Sequence, residues 1–416
     1  MKLLFISPLI PYPPNKGDRI RLSRELQAFI ERGHEVHLLA FAGDMDDLNY
    51  QLDLGRMCAM VGIVPLRRVW AVARAVVNLA LARPLSRGYF SSLRMRWMIK
   101  RAVADNDFDA VFVHSSSMAH YVPQGLLSRA VIDLGDIDSE KWRDYTAGAN
   151  PLMSRIYSLE WKRLREYEYK TIARFANTVI TTGREAAMLD RLDEFTRRAR
   201  LRTIANGVDL EYFQPSVQSP DTTSPRLAFV GAMDCFANVE GARYFAEYVF
   251  PLIRSRESRA KFSIIGANPT DEVKKLARYP GVILTGEAPD TRSYMRAATL
   301  CVVPLRRARG RQSEILEAMA AGKAVIASPE AVAGMRVVNG EHLMIADSPR
   351  SFANATLEVI RNANLRASLE THARNFVESE HDWKTLLQRM VDLVESVGAR
   401  EHNLGRKKNT RAIAGS

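Results

Sequence analysis

The 416-residue chain reads as an α/β protein made of two Rossmann-like parallel-sheet domains, and three observations predict this. Short apolar runs such as Lys2–Ser7, Asp109–His114, Arg226–Gly231 and Leu300–Pro304 have the length and composition of strands buried on both faces. They alternate with amphipathic helical stretches, the order that produces crossover connections and parallel sheets. Between Gln214 and Pro225 lie three prolines among serines and threonines, with no aromatic residue, which is the composition of a linker. The boundaries that follow are a first domain over 1–205, a linker over 206–225 and a second domain over 226–379.

In the first domain, Lys2–Ser7 is a strand, and the four prolines between Pro8 and Gly17 make that segment a loop. Asp18 caps a helix with Leu22, Leu26, Phe29 and Ile30 on one face, which ends at Gly33; His34–Leu39 is the next strand. Gly17 precedes a helix N-terminus, where backbone amides can approach a phosphate without a side chain in the way. The Gly-x-Gly-x-x-Gly fingerprint of dinucleotide binding is missing there, which argues against a nicotinamide-dependent oxidoreductase. The strands Asp109–His114 and Ala130–Leu134 end near His114, Asp133 and Asp136. Ligands of open parallel sheets bind beyond the carboxyl ends of strands, so these side chains belong to a candidate crevice. Ser154–Phe175 is a long charged helix, Thr178–Thr182 a strand, and Asn206-Gly-Val-Asp209 a turn in which Asn-Gly accepts left-handed conformations.

The second domain restarts with three strands that each meet a glycine, at Gly231, Gly266 and Gly286. A helix beginning near Asn238 carries Ala242, Phe245, Ala246 and Val249 on its apolar side. Three glycines at one sheet edge make a cradle for a nucleotide. After the strand Leu300–Pro304 comes the polar loop Arg309-Gly310-Arg311-Gln312. Ser313 then caps a helix over Glu314–Ala321, and Gly322 ends it. Ala324–Ala327 is a short buried strand. Ile315, Leu316, Met319 and Ala320 form the buried stripe of this helix, which leaves Glu317 as the odd residue, one turn into an apolar helix near the end that favours anions.

With 47% apolar and 25% charged residues the composition is that of a globular protein. Cys58, Cys235 and Cys301 lack metal-type spacing and suit free thiols in a reducing cytoplasm. The apolar run after Met1-Lys2 meets prolines by Ile10 and reads as a strand, not a signal peptide. The stretch Val69–Ala82 is apolar but too short to span a bilayer. A net charge of +12 is concentrated over 61–104, where nine arginines and lysines occur without one acidic residue, interleaved with Val69, Trp70, Leu79, Tyr89, Phe90 and Trp97. That pattern suits the headgroups of an anionic membrane surface. No nucleic-acid-binding motif is present.

Leu316-Glu-Ala-Met-Ala320 followed by Gly322 resembles the donor-site signature of glycosyltransferase family 4, the retaining nucleotide-sugar transferases of the GT-B fold. Their pattern places two glutamates with seven residues between them; Glu317 takes the second position, and Arg309 stands at the first. Ala308-Arg309-Gly310, Pro11–Asp18 and Asp136–Trp142 are similar to a narrower group, the sugar transferases of PEP-CTERM exopolysaccharide systems. Ala237 stands where that group has proline, and Glu314 where relatives carry lysine.

The resemblance implies two Rossmann-like domains that face each other across a cleft, with a final helix, 380–398, that crosses back to the first domain, and a basic tail over 399–416. It implies donor contacts from Gly17, Arg21, Gly231, Asn238, Gly266, Gly286, Glu287, Gly310, Gln312, Ser313 and Glu317, with the loop after Gly286 at the nucleobase and that after Gly231 at the diphosphate. His114, Arg309 and Glu317 become the catalytic set, and Asp136, Glu140 and Lys141 face the acceptor. The expected activity moves a sugar from a nucleotide-diphosphate donor to a glycan or lipid-linked acceptor for a cell-surface polysaccharide, in the cytoplasm or peripherally on the inner face of the membrane. No paired-carboxylate metal motif is evident, so neither metal nor cofactor is expected, and Arg309 with neighbouring arginines would hold the leaving diphosphate. A sugar-nucleotide epimerase of the same fold and a non-catalytic sugar-nucleotide binder are the alternatives.

Overall fold

The computed structural model describes residues 1–14, 17–146, 150–189, 191–215, 222–286, 288, 290–307 and 313–413. The chain divides into two compact units, 1–205 with 387–416, and 206–386. In the first unit the strands β1 (Lys2–Ser7), β2 (Glu35–Ala42), β3 (Met60–Pro65), β4 (Ala110–His114), β5 (Ala130–Asp133), β6 (Asn177–Ile180) and β7 (Leu201–Thr203) form one parallel sheet in the order β3-β2-β1-β4-β5-β6-β7. Strand order reverses between β1 and β4, so their carboxyl ends, at Ser7 and His114, frame the place where an open α/β sheet binds its ligand. The helix Gly17–Glu31 starts above that point. Its Leu22, Leu26 and Phe29 are buried, as the 3.6-residue period requires.

Three strands escaped the sequence pattern, Met60–Pro65, Leu201–Thr203 and Met344–Ile345. Met60–Pro65 carries Gly62 in its interior, a residue that weakens a strand by propensity. A Cβ at Gly62 would lie 2.3 Å from Met98 Cε and 2.5 Å from a Leu39 methyl group, so any larger residue there would have to push both side chains aside. Asn206-Gly207 departs from expectation in a similar way. Gly207 is not left-handed; a Cβ there would stand 2.6 Å from the Trp383 ring, and the turn is held by Val208 N–H donating to His381 O at 2.8 Å.

In the second unit β8 (Arg226–Val230), β9 (Lys261–Ile265), β10 (Val282–Gly286), β11 (Leu300–Val303), β12 (Val325–Ala327) and β13 (Met344–Ile345) form a second parallel sheet, ordered β10-β9-β8-β11-β12-β13. Here the order reverses between β8 and β11. The helix Ser313–Ala320 follows β11 and packs on β11 and β12 through the buried Ile315, Leu316, Met319 and Ala320. Gly322, at φ +67°, ends it as a left-handed residue should. The last helix, Trp383–Ile413, continues through most of the stretch read as a basic tail. Among the described residues no helix is long and apolar enough to cross a membrane.

Candidate functional site

At the carboxyl edge of the first sheet the structure gathers four side chains. Arg21 and Glu25 project from successive turns of the helix Gly17–Glu31, His114 closes β4 and Asp133 closes β5. Arg21 Nε donates to Asp133 Oδ2 at 2.7 Å and lies 2.9 Å from Glu25 Oε1, while its terminal nitrogens donate to the carbonyls of Ile204 and Ala205. Glu25 Oε2 meets His114 Nδ1 at 3.1 Å. Arg21, Glu25 and Asp133 are buried, and His114 is the member that reaches solvent. Ser115, directly after it, holds φ +74°, which turns the chain sharply at the strand end.

Electrostatics divide the labour in this cluster. Burial and the charge of Asp133 push the Glu25 carboxyl up to about 7. Burial is the largest single influence on Asp133 and opposes its ionisation, but Arg21, Glu25, His114 and the Gly135 amide together outweigh it and hold that carboxyl down at about 2. His114 is likewise penalised by burial, yet Glu25 raises its affinity for a proton. Glu25, His114 and Asp133 each offer a ligand atom within 4.8 Å of the others, but the Arg21 guanidinium already sits against both carboxylates, so a divalent ion would have to displace it. Arg21, read from the sequence as a donor contact, is thus committed to the fold of its own unit. Glu25 had no sequence signal beyond its place on a helix; the packing of Arg21 exposes its role.

Of the acceptor-side residues, Asp136 accepts from Thr181 Oγ1 at 3.3 Å and pairs with Lys141 at 3.3 Å; Lys141 also pairs with Asp138 at 3.0 Å. Glu140 does not face outward as expected. It is 2% exposed, accepts from Trp161 Nε1 at 3.2 Å and pairs with Arg143 at 2.7 Å. The (i, i+3) spacing to Arg143 and the neighbouring helix Pro151–Arg174 explain this orientation.

The second sheet presents a different edge. Gly231, Gly266 and Gly286 follow β8, follow β9 and end β10 respectively. A Cβ on Gly266 would lie 1.8 Å from Gly231 O, so glycine is compulsory there, and one on Gly231 would lie 2.6 Å from Asn238 Nδ2 and displace that side chain. Asn238 is fully buried; its Nδ2 donates to Ala232 O at 3.1 Å and reaches Glu314 Oε1 at 3.5 Å, while its Oδ1 has no hydrogen-bond partner among the described residues. Through Asn238 the first turn of the helix Ser313–Ala320 is therefore tied to the glycine edge. Ser313 opens that helix, exposed, with its hydroxyl donating to Glu314 Oε2 at 3.0 Å.

Glu317 lies one turn further, half-buried, its side chain without a hydrogen bond or ion pair among the described residues. Burial pushes its carboxyl up to about 8, and the negative Glu314 adds to the push. Gly17 opens the helix Gly17–Glu31. Arg309, Gly310, Gln312 and Glu287 lie outside the described residues.

Residues 20–212 match the family model described as Glycosyltransferase Family 4, and residues 224–362 match that of Glycosyl transferases group 1. An uncharacterized glycosyltransferase of Methanocaldococcus jannaschii is 24% identical over 49% of this chain, and the match spans 55% of that relative's length. An uncharacterized 44.6 kDa protein in the cps region of Klebsiella pneumoniae is 20% identical over 92% of this chain and 97% of its own. Among solved structures, a sucrose-phosphate synthase from Thermosynechococcus elongatus superposes with TM-score 0.71 at 16% identity over 96% of this chain and 100% of that one. The Anabaena protein HepE in complex with UDP does so with TM-score 0.62 at 14% identity, over 95% and 100%. The structural likenesses carry the fold, which is GT-B with two Rossmann-like domains. The family matches and relatives support a family-4-type glycosyltransferase.

Proposed function

We propose that the protein transfers a sugar from a nucleotide-diphosphate donor to a glycan or lipid-linked acceptor in the assembly of a cell-surface polysaccharide, in the cytoplasm, with retention at the anomeric carbon and without a metal. The observation that carries the donor half is Glu317. A half-buried carboxyl group whose side chain has no hydrogen-bond partner among the described residues, one turn after the Glu314 that reaches Asn238, is a site suited to donors of hydrogen bonds. A vicinal diol such as that of ribose supplies two. When both donate to the carboxylate they favour its charged form, so donor binding pulls the raised pKa of Glu317 back down and expels a proton. The UDP held by the Anabaena structure and the cps-region origin of the Klebsiella relative support a nucleotide donor and a surface-polysaccharide setting.

His114 supplies the sugar-facing end. Its Nδ1 is tied to Glu25, which leaves Nε2 to address a hydroxyl, and the buried pair behind it fixes the ring. Helix N-termini and Arg309 would take the charge that develops on the leaving diphosphate. The test is a screen of nucleotide sugars by calorimetry at neutral pH in two buffers of different ionisation enthalpy, followed by donor consumption with and without membrane extract. Expected are tight binding of one nucleoside-diphosphate sugar, proton release on binding, and acceptor-dependent, chelator-insensitive turnover to a product with the donor's anomeric configuration. Donor conversion without any acceptor would show an epimerase instead.

A further inference from the structure

The helix Arg68–Ala80 is built the opposite way round from an ordinary surface helix. Its inward stripe is Ala71 and Ala75. Its polar residues are partly withdrawn: Arg74 donates to Tyr89 O at 3.4 Å and Asn78 Nδ2 to Arg74 O at 2.9 Å. The outward side carries Val69, Trp70, Val72, Val76 and Val77, with Leu81 just beyond, each more than half exposed. This face is held firmly. A Cβ on Gly88 would lie 2.6 Å from Asn78 Nδ2, so the next helix turn packs tightly against it, and Arg163 Nη1 caps Leu79 O at 2.7 Å. Water is a poor solvent for so much aliphatic and indole surface on one rigid element, and such a patch marks an interaction site.

The charge around the patch identifies what it meets. Arg67, Arg68 and Arg83 flank it, exposed. In the same unit the helix Leu93–Asp105 exposes Leu93 at 85% and Trp97 at 58% beside Arg94, Arg96 and Lys100. None of these six basic residues forms an ion pair among the described residues. Arg101 pairs with Asp105 at 3.5 Å and lies over the Trp97 ring at 5.4 Å. A second copy of the chain would bring like charges together across a self-complementary face, which disfavours that occupant. A sheet of phosphates above hydrocarbon satisfies both halves at once. The valines and Trp70 enter the acyl boundary while guanidinium and ammonium groups stay at the headgroups.

We propose that the face formed by the helix Arg68–Ala80, with the neighbouring basic residues, docks the protein on an anionic lipid surface. The proposal does not depend on which sugar is moved. The full chain is floated with phosphatidylcholine vesicles, with and without about a third phosphatidylglycerol, a content that gives the strongly negative surface such basic residues read. Expected is at least a tenfold preference for the anionic vesicles, abolished by high salt, and a tenfold loss in a Trp70→Ser, Val76→Ser, Val77→Ser variant. That variant should keep the wild-type melting temperature, because the replaced side chains already face water. An Arg67→Ser, Arg68→Ser, Arg83→Ser variant should lose the preference for anionic lipid. Equal recovery with neutral vesicles, unchanged flotation of the valine–tryptophan variant, or no flotation at all overturns the proposal. Concentration-dependent dimers that vanish in that variant, without flotation, would give the face to a second copy.

Discussion

The carboxyl edges of the two sheets solve the problem of buried charge in opposite ways. At the first, Arg21 sits against both Asp133 and Glu25, and Glu25 meets His114, so the buried charges are paired within the unit, with Glu25 Oε1 making an ion pair but no hydrogen bond among the described residues. At the second, Glu317 stands alone among the described residues and holds its proton up to about pH 8. The lesson is that family-level site residues are not equivalent. Arg21 belongs to a scaffold that aims His114, whereas Glu317 is the residue proposed to meet the donor.

The sharpest way to break the contrast is Asp133→Ala. It removes the hydrogen-bonded carboxylate from a buried guanidinium and should cost about 3–5 kcal/mol of stability, read by denaturant unfolding. A loss below 1 kcal/mol would mean the first edge is not a structural unit. Next in size is Glu317→Gln. Donor binding should weaken by about 1–3 kcal/mol, as expected when a charged acceptor of hydroxyls is removed.

The same change should stabilise the empty protein at alkaline pH. The folded carboxyl titrates near 8 against 4.5 when free. Its contribution to stability is therefore present below 4.5 and is lost as pH rises through 8, and a glutamine removes that loss. If thermal scans of wild type and variant run parallel from pH 5 to 9, Glu317 is not a strained empty-state residue.

Glu25→Gln should act more gently, by about 1 kcal/mol near neutrality, since Glu25 still shares a proton there. Glu25 titrates near 7 against 4.5, so its contribution is likewise lost as pH rises through 7, and the variant should lack that part of the pH dependence. Proton NMR should show the His114 imidazole losing its proton at lower pH in the variant; an unmoved midpoint would uncouple the pair. The smallest effect belongs to Glu314→Lys. Removing a first-turn acid costs the empty protein about 0.3–1 kcal/mol, while the lost repulsion lowers the Glu317 pKa and tightens donor binding. Weaker binding by calorimetry would show that Glu314 serves the donor.

The α/β alternation, the strand ends at His114, Gly231, Gly266 and Gly286, and the helix around Glu317 were legible because each is a local pattern of period, glycine and cap. The strand Met60–Pro65 was not, because Gly62 contradicts local propensity and is explained only by Met98 and Leu39, distant in sequence. Glu25 and the inward turn of Glu140 were hidden for the same reason, since each is defined by partners on other elements. The apolar content of 69–82 was plain in the sequence. Its reading as a surface came from the arginines interleaved with it; which of its large residues face outward was not legible, because a stripe of two alanines gives no periodic signal.

The first unit is made of residues 1–205 together with 387–416. Val391, Val394 and Val397 are buried, Glu395 bonds Arg32 at 3.2 Å, and a Cβ on Gly398 would sit 3.0 Å from Met1 Sδ. As the chain leaves the ribosome, the unit that is translated first therefore finishes last. Its sheet waits, with the surface around Met1 and Arg32 uncovered, while the whole second unit is synthesised and has its own contacts to hand. Sequential, amino-terminal-first folding does not apply in its usual form. Nascent chains stalled just after Leu386 should hold a protease-resistant second unit attached to a first unit that is still open to attack.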